Sequence, residues 1–158
     1  MKTAAPEANA PLSLRLEDQL CFALHSTALK MTQAYRPLLE PLGLTYPQYL
    51  VMLVLWQADR QTVSEIGARL YLDSATLTPM LKRLEAQGFV ARARSEDDER
   101  QVIVSLTGTG RSLRRRAQAL PYQVFCATGC SPEEIALIKA RLETLREHLI
   151  GSPVDAVG

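Results

Sequence analysis

Paired cysteines, net charge and long apolar runs are all scarce in this sequence, and each shortage removes a class of protein. Three cysteines among 158 residues cannot all pair within one chain, so a secreted disulfide scaffold is excluded and the thiols read as reduced, catalytic or sensing. The net charge is +1, which is neither a histone-like polycation nor an acidic tail; nucleic-acid binding would need a local patch. No window approaches the roughly 18 uninterrupted apolar residues of a membrane span. The opening MKTAAPEANAPLSLRLEDQL lacks the apolar middle of a signal peptide, so no membrane partner is expected and the predicted location is the cytoplasm. There is no internal repeat and no low-complexity tract. Cys126 and Cys130 stand four apart, but with only a distant Cys21 and scattered His25 and His148 they lack the clustering of a structural zinc site. No metal and no cofactor are expected.

What is present is mostly helical periodicity. Residues 1–12 and 151–158 carry no periodic apolar set and read as flexible tails. From Ser13 the spacing of Leu16, Leu20, Leu24, Thr27 and Met31 puts one apolar stripe on a long first helix, which must bend or restart at Pro37 and Pro41 and stop at Gly43. Thr45-Tyr46-Pro47-Gln48 is a capping box opening a nearly all-apolar, buried helix. Thr62-Val-Ser-Glu65 opens a short helix the same way. Asp73 caps another, with Leu77, Leu81 and Leu84 inward and Ser74, Thr78, Lys82 and Arg83 on the other face. Pro79 leaves the first residue of this helix open between Asp73 and Thr78.

At Phe89 the period changes from 3.6 to 2 and changes back after QVIVSL, which predicts a β-hairpin tipped by Glu96, Asp97, Asp98 and Glu99 between Arg94 and Arg100. Helix resumes from about Thr107, is interrupted at Pro121 and ends near Gly129. Ser131-Pro132-Glu133-Glu134 starts a last helix.

Two short helices followed at once by a two-stranded ribbon is the order of a winged helix-turn-helix, whose second helix enters the major groove. The expected fold is thus mostly α with a small β-wing: reader at 45–106, dimerisation helices at 13–44 and 107–150. Between Lys82 and Arg116 lie nine basic and five acidic residues, net +4, leaving −3 elsewhere. Arginines and Lys82 there suit phosphates, and the small hydroxyls of Ser74, Thr76 and Thr78 suit base edges. The competing reading of the basic surface is a solvated face. The first and the last two helices are too apolar to be covered by so small a domain, which points to a homodimer or to a self-contained α-domain.

These segments resemble the MarR family of repressors, within it the organic-hydroperoxide sensors. The likeness runs from LCFALHS through KMTQAYRPLLEPLGLTYPQYLVMLVLW and LYLDSATLTPMLKRLEAQGFV to the wing SEDDERQVIVSLT, over about residues 14–150. The wing signature Asp98-Glu99-Arg100 is general to the family and implies binding of double-stranded operator DNA. Cys21 with Tyr35 and Tyr46 marks the peroxide-sensing branch. The resemblance implies that an organic hydroperoxide oxidises Cys21, that the two tyrosines hydrogen-bond it across the dimer, and that Cys126 resolves it as an intersubunit disulfide, releasing the operator. His25 stands where some members place a third tyrosine.

A sensing thiol must react as its thiolate, and His25, four residues on, and phenol donors would favour that charge. Leu20, Phe22 and Leu24 suit an organic peroxide better than hydrogen peroxide. By spacing alone, Cys21 reads first as an inert core cysteine, His25 first as a packing or hydrogen-bonding residue and second as a thiolate support, and Tyr35 and Tyr46 equally as core residues. Cys130 is a spare or alternative partner. The rival functions are a MarR-type repressor of phenolic ligands with an inert Cys21, and a thiol peroxidase; the expected protein is not an enzyme.

Overall fold

The computed structural model describes residues 13–152. The expected N-terminal tail and all but the first two residues of the expected C-terminal one lie outside them. A single 3₁₀ turn, Leu16–Asp18, precedes α1 (Leu20–Leu39). The first helix therefore starts seven residues later than the apolar spacing from Ser13 predicts. The Ser13 hydroxyl bonds Asp18 at 2.6 Å, and the Gln19 amide donates back to the carbonyls of Ser13 (2.6 Å) and Arg15 (3.0 Å); such local side-chain bonds compete with helix. α1 runs on through Pro37 and tightens into a 3₁₀ turn at Glu40–Leu42, which ends at Gly43 with φ 71°, a left-handed conformation suited to glycine.

The predicted caps form. Thr45 and Gln48 make a reciprocal capping box for α2 (Tyr46–Gln57), and Thr62 with Glu65 does so for α3 (Val63–Leu70). Asp73 caps α4 (Ser74–Ala86), accepting from the Thr76 N–H at 2.7 Å, so α4 begins at Ser74 and contains Pro79 rather than starting after it. β2 (Val90–Arg94) and β3 (Val102–Leu106) pair antiparallel with Val90 opposite Leu106 and Arg94 opposite Val102. β1 (Gln61–Thr62), invisible to any periodicity at two residues, adds to the other edge of β3. α5 (Gly108–Ala117) follows, then α6 (Leu120–Thr128), in which Pro121 occupies the first turn, and α7 (Pro132–Ile150).

The chain divides after Arg116 into two compact units. The core of the first is Leu39, Met52, Leu55, Ile66, Leu77, Leu81, Leu84 and Val104, none more than 1% exposed, where α2, α3, α4 and the sheet meet. The turn between α3 and α4 is tight: a Cβ on Gly67 would fall 2.6 Å from the Leu72 carbonyl oxygen. Asp59, just past α2, accepts the Leu106 N–H at 2.8 Å and pairs with Arg111 at 2.9 Å, fastening α2, β3 and α5 together. In the second unit α7 has no buried residue; Leu137, Ile138, Leu142 and Leu149 are 44–59% exposed. On α1 Leu20, Leu29 and Met31 are exposed too. Among the described residues no single helix is long and apolar enough to cross a membrane.

Candidate nucleic-acid interface and thiol site

α4 exposes the predicted reading residues. Ser74 opens the helix, Ser74, Thr76, Lys82 and Arg83 are exposed, and Thr78 is half-buried with its hydroxyl donating to the Ser74 carbonyl at 2.7 Å. A cleft of about 210 Å³ lined by Ser74, Thr78, Thr62, Ser64, Arg100 and Gln101 lies between the start of α4 and the tip end of the wing.

The wing tip is built on Ser95, a buried polar residue that periodicity does not flag. Its hydroxyl accepts the N–H groups of Asp97 (3.2 Å) and Asp98 (3.4 Å), and its own N–H donates to the Gln101 carbonyl (2.8 Å). Asp98 accepts both the backbone N–H of Arg100 (3.0 Å) and its guanidinium (3.4 Å). Asp98 thus aims an almost fully exposed arginine. Arg94 is exposed, with one guanidinium nitrogen on the Glu99 carbonyl at 3.1 Å. Arg92 on β2 pairs with Glu85 of α4 at 2.8 Å; the guanidinium bond holds the Glu85 carboxyl below its ordinary value, outweighing desolvation. That pair ties β2 to α4.

Cys21 is exposed and stands at the second position of α1. The N-cap residue, Gln19, makes no side-chain cap bond. Phe22 and His25 are also exposed, in the same two turns. The tyrosines gather at the other end of α1. Tyr35 lies 5.0 Å from Tyr46 and 5.5 Å from Tyr49 between ring centroids, and Tyr49 lies 6.4 Å from Trp56. Fourteen residues of helix separate Cys21 from Tyr35, about 21 Å at helical rise. One chain therefore does not bring Cys21, Phe22 and His25 together with Tyr35 and Tyr46.

Burial raises all three phenols. Tyr35 is pushed up by desolvation and then by Tyr46, Tyr46 by desolvation, and Tyr49 to about 12 by desolvation and its two neighbours. They are protonated donors at neutral pH. Tyr49, 2% exposed, does not stand out in the sequence because it reads as one more apolar position of α2; its three-residue spacing from Tyr46 is the signal available there. Beside Tyr46 lies a cleft of about 540 Å³, lined by Thr32, Gln33, Arg36, Glu40 and residues 43–47.

In the second unit, Cys126 is exposed on α6 one turn after Tyr122. A hydrogen bond to Cys126, with its charge second, raises the Tyr122 phenol. α6 ends at Gly129, so Cys130 leaves the helix; its thiol lies 3.6 Å from the Thr128 carbonyl.

Comparison with known proteins agrees with this geometry. A family model described as transcriptional regulator SarA/Rot matches residues 33–116. The organic hydroperoxide resistance transcriptional regulator of Bacillus subtilis (strain 168) is 48% identical over 136 residues, 86% of this chain and 92% of that protein. The chain belongs to the MarR family of winged-helix transcriptional regulators. Among solved structures of this family, reduced AbfR bound to DNA has a TM-score of 0.69 at 40% identity, covering 88% of this chain and 98% of that one. A mutant MarR from E. coli complexed with operator DNA has a TM-score of 0.73 at 26% identity, covering 80% and 92%. α3 and α4 stand where a winged helix-turn-helix has its two helices, and the β2–β3 hairpin stands where it has its wing.

Proposed function

We propose that this MarR-family protein is a homodimeric, DNA-binding repressor that senses organic hydroperoxides through Cys21 and lets go of its operator on oxidation. The observation that carries the reading is the separation within α1: an exposed thiol in the first turn and protonated phenols about 21 Å away, a layout that serves one site only if a second chain supplies the other half. The exposed apolar residues of α1 and α7 are the surface such a partner would cover, with residues 13–44 and 107–150 as dimerisation helices and 45–106 as reader. In the dimer, Tyr35 and Tyr46 donate to the partner's sulfur, and Phe22 and Leu20 offer an apolar surface to the peroxide's organic group.

The chemistry proceeds in two balanced steps. The Cys21 thiolate attacks the outer peroxide oxygen; the O–O bond breaks, the sulfur becomes a sulfenic acid and the alkoxide leaves as the alcohol after taking a proton. The Cys126 thiol of the other subunit then attacks that sulfur, forming the disulfide and releasing water. On the DNA side, Lys82, Arg83, Arg94 and Arg100 meet phosphates, Ser74, Thr76 and Thr78 face base edges, and Asp98 orients Arg100.

Cys21→Ser is expected to bind a duplex from the chain's own upstream region as the wild type does and to ignore cumene hydroperoxide in a gel shift. Release of this variant by peroxide would sink the assignment. Cys126→Ser should still form the sulfenic acid, trapped by a dimedone probe, without the crosslinked dimer band on a non-reducing gel. The cleft beside Tyr46, with Arg36 in its wall, favours one rival, a repressor of small phenolic ligands; release of a cysteine-free variant by a phenolic acid would support it.

A further inference from the structure

The turn between α1 and α2, which holds the tyrosines at its two ends, is gripped by the far end of the reading helix. Gln87 is the C-cap residue just past α4, its N–H bonded to the Arg83 carbonyl at 2.9 Å. Its side-chain amide donates to the Gly43 carbonyl at 2.6 Å and accepts from the Gln48 amide at 3.4 Å. Gln48 is 4% exposed, and its amide oxygen accepts the Thr45 N–H at 3.0 Å. Two side-chain amides therefore form one directional chain, each donating and accepting, from the cap of α2 through Gln48 and Gln87 to the left-handed residue that ends α1. Tyr46 is the first residue of the helix so capped. On the opposite side of the same turn, the Arg116 guanidinium donates to the Pro41 carbonyl at 2.8 Å.

Nothing in the recognition chemistry uses these groups, since Gln87 stands at the opposite end of α4 from Ser74, roughly 20 Å away. A rigid helix held along its middle by Leu77, Leu81 and Leu84, all fully buried, behaves as a lever. A shift of the α1–α2 turn at one end re-aims the other. The buried Gln48 amide cannot lose its partners without leaving polar groups unsatisfied, and this holds the inner end of the bond to the exposed Gln87 side chain.

We propose that Gln87 and Gln48 are positioning residues that carry a change at the tyrosine cluster to the reading helix, and so couple oxidation to operator release. The proposal rests on the redox-sensing reading above. Gln87→Met keeps the volume and removes both bonds. Gln48→Glu keeps the acceptor for the Thr45 N–H, and thus the cap, while removing the donor to Gln87. Operator binding by the full-length chain is measured by fluorescence anisotropy before and after cumene hydroperoxide, with thiol oxidation followed on non-reducing gels.

Both variants are expected to bind the duplex within about threefold of wild type when reduced, and to oxidise normally. The fold loss of affinity on oxidation should shrink by about tenfold relative to wild type, which corresponds to ~1.4 kcal/mol of coupling. The double variant should be no worse than either single one. Undiminished release in both variants overturns the relay while leaving the sensing reading intact. A drop in reduced-state affinity equal to the loss of release also overturns it, since the amides would then be merely structural. If Gln87→Met does not fold, Gln48→Glu decides by the same criteria. A wild-type chain whose thiols oxidise without any change in DNA binding overturns the sensing reading, and the relay with it.

Discussion

Tyr49 shows how one buried hydroxyl sets an alkaline limit on the fold. Its phenol titrates near 12 instead of the ordinary 10, first because it is desolvated and then because Tyr35 and Tyr46 crowd it. A group whose folded-state value lies above its unfolded value favours the fold fully below the unfolded value, and that contribution disappears as pH rises through the folded one. The wild type should therefore lose stability between pH 10 and about 12. Tyr49→Phe, which keeps the ring, should flatten that slope in urea midpoints taken across the window; an unchanged slope would assign the alkaline limit to other groups. At this scale the sequence was partly legible. Cys21, Tyr35 and Tyr46 could be singled out because family resemblance attaches chemistry to them. Tyr49, Ser95, Gln48 and Gln87 could not, since each owes its role to partners brought close only by the fold: Gln87 to Gly43, 44 positions away, and Ser95 to the turn it closes.

Among the elements, local rules performed best where a side chain talks to its own neighbours. The capping boxes at Thr45 and Thr62, the Asp73 cap and the leucine stripe of α4 all follow from spacings of three and four residues. The start of α1 did not, because Leu16 keeps the helical stripe while Ser13, Asp18 and Gln19 satisfy the backbone another way. Pro79 proved tolerable inside α4, whose inner face is anchored by three buried leucines. Asp59 is the joint that periodicity cannot see, binding a strand and a helix beyond its own. Burial raises its carboxyl, but the N–H groups of Leu106 and Arg60 and the Arg111 guanidinium bring it below the ordinary value. Its contribution should hold above the ordinary carboxylate range and fade as pH falls through the lowered value. Asp59→Ala should cost about 1–3 kcal/mol by leaving the Leu106 N–H without its acceptor, read as a lower urea midpoint at neutral pH. A midpoint within error of wild type would refute the joint.

For the whole molecule, the apolar residues left open on α1 and α7 make assembly part of stability. The urea midpoint should rise with protein concentration, and Leu142→Glu, at a 44% exposed position of α7, should give a species of monomer mass in sedimentation with weakened operator binding. A dimeric Leu142→Glu protein would place the interface elsewhere. Within the other long helix, the uncapped start has its own outcome. Gln19 spends its amide on the segment behind it, so the turn bearing Cys21 is the one most easily unspooled, while Leu39 at the opposite end lies locked in the core. The amides of that turn should exchange with deuterium well before those at the tyrosine end, and equal protection at both ends would overturn the contrast.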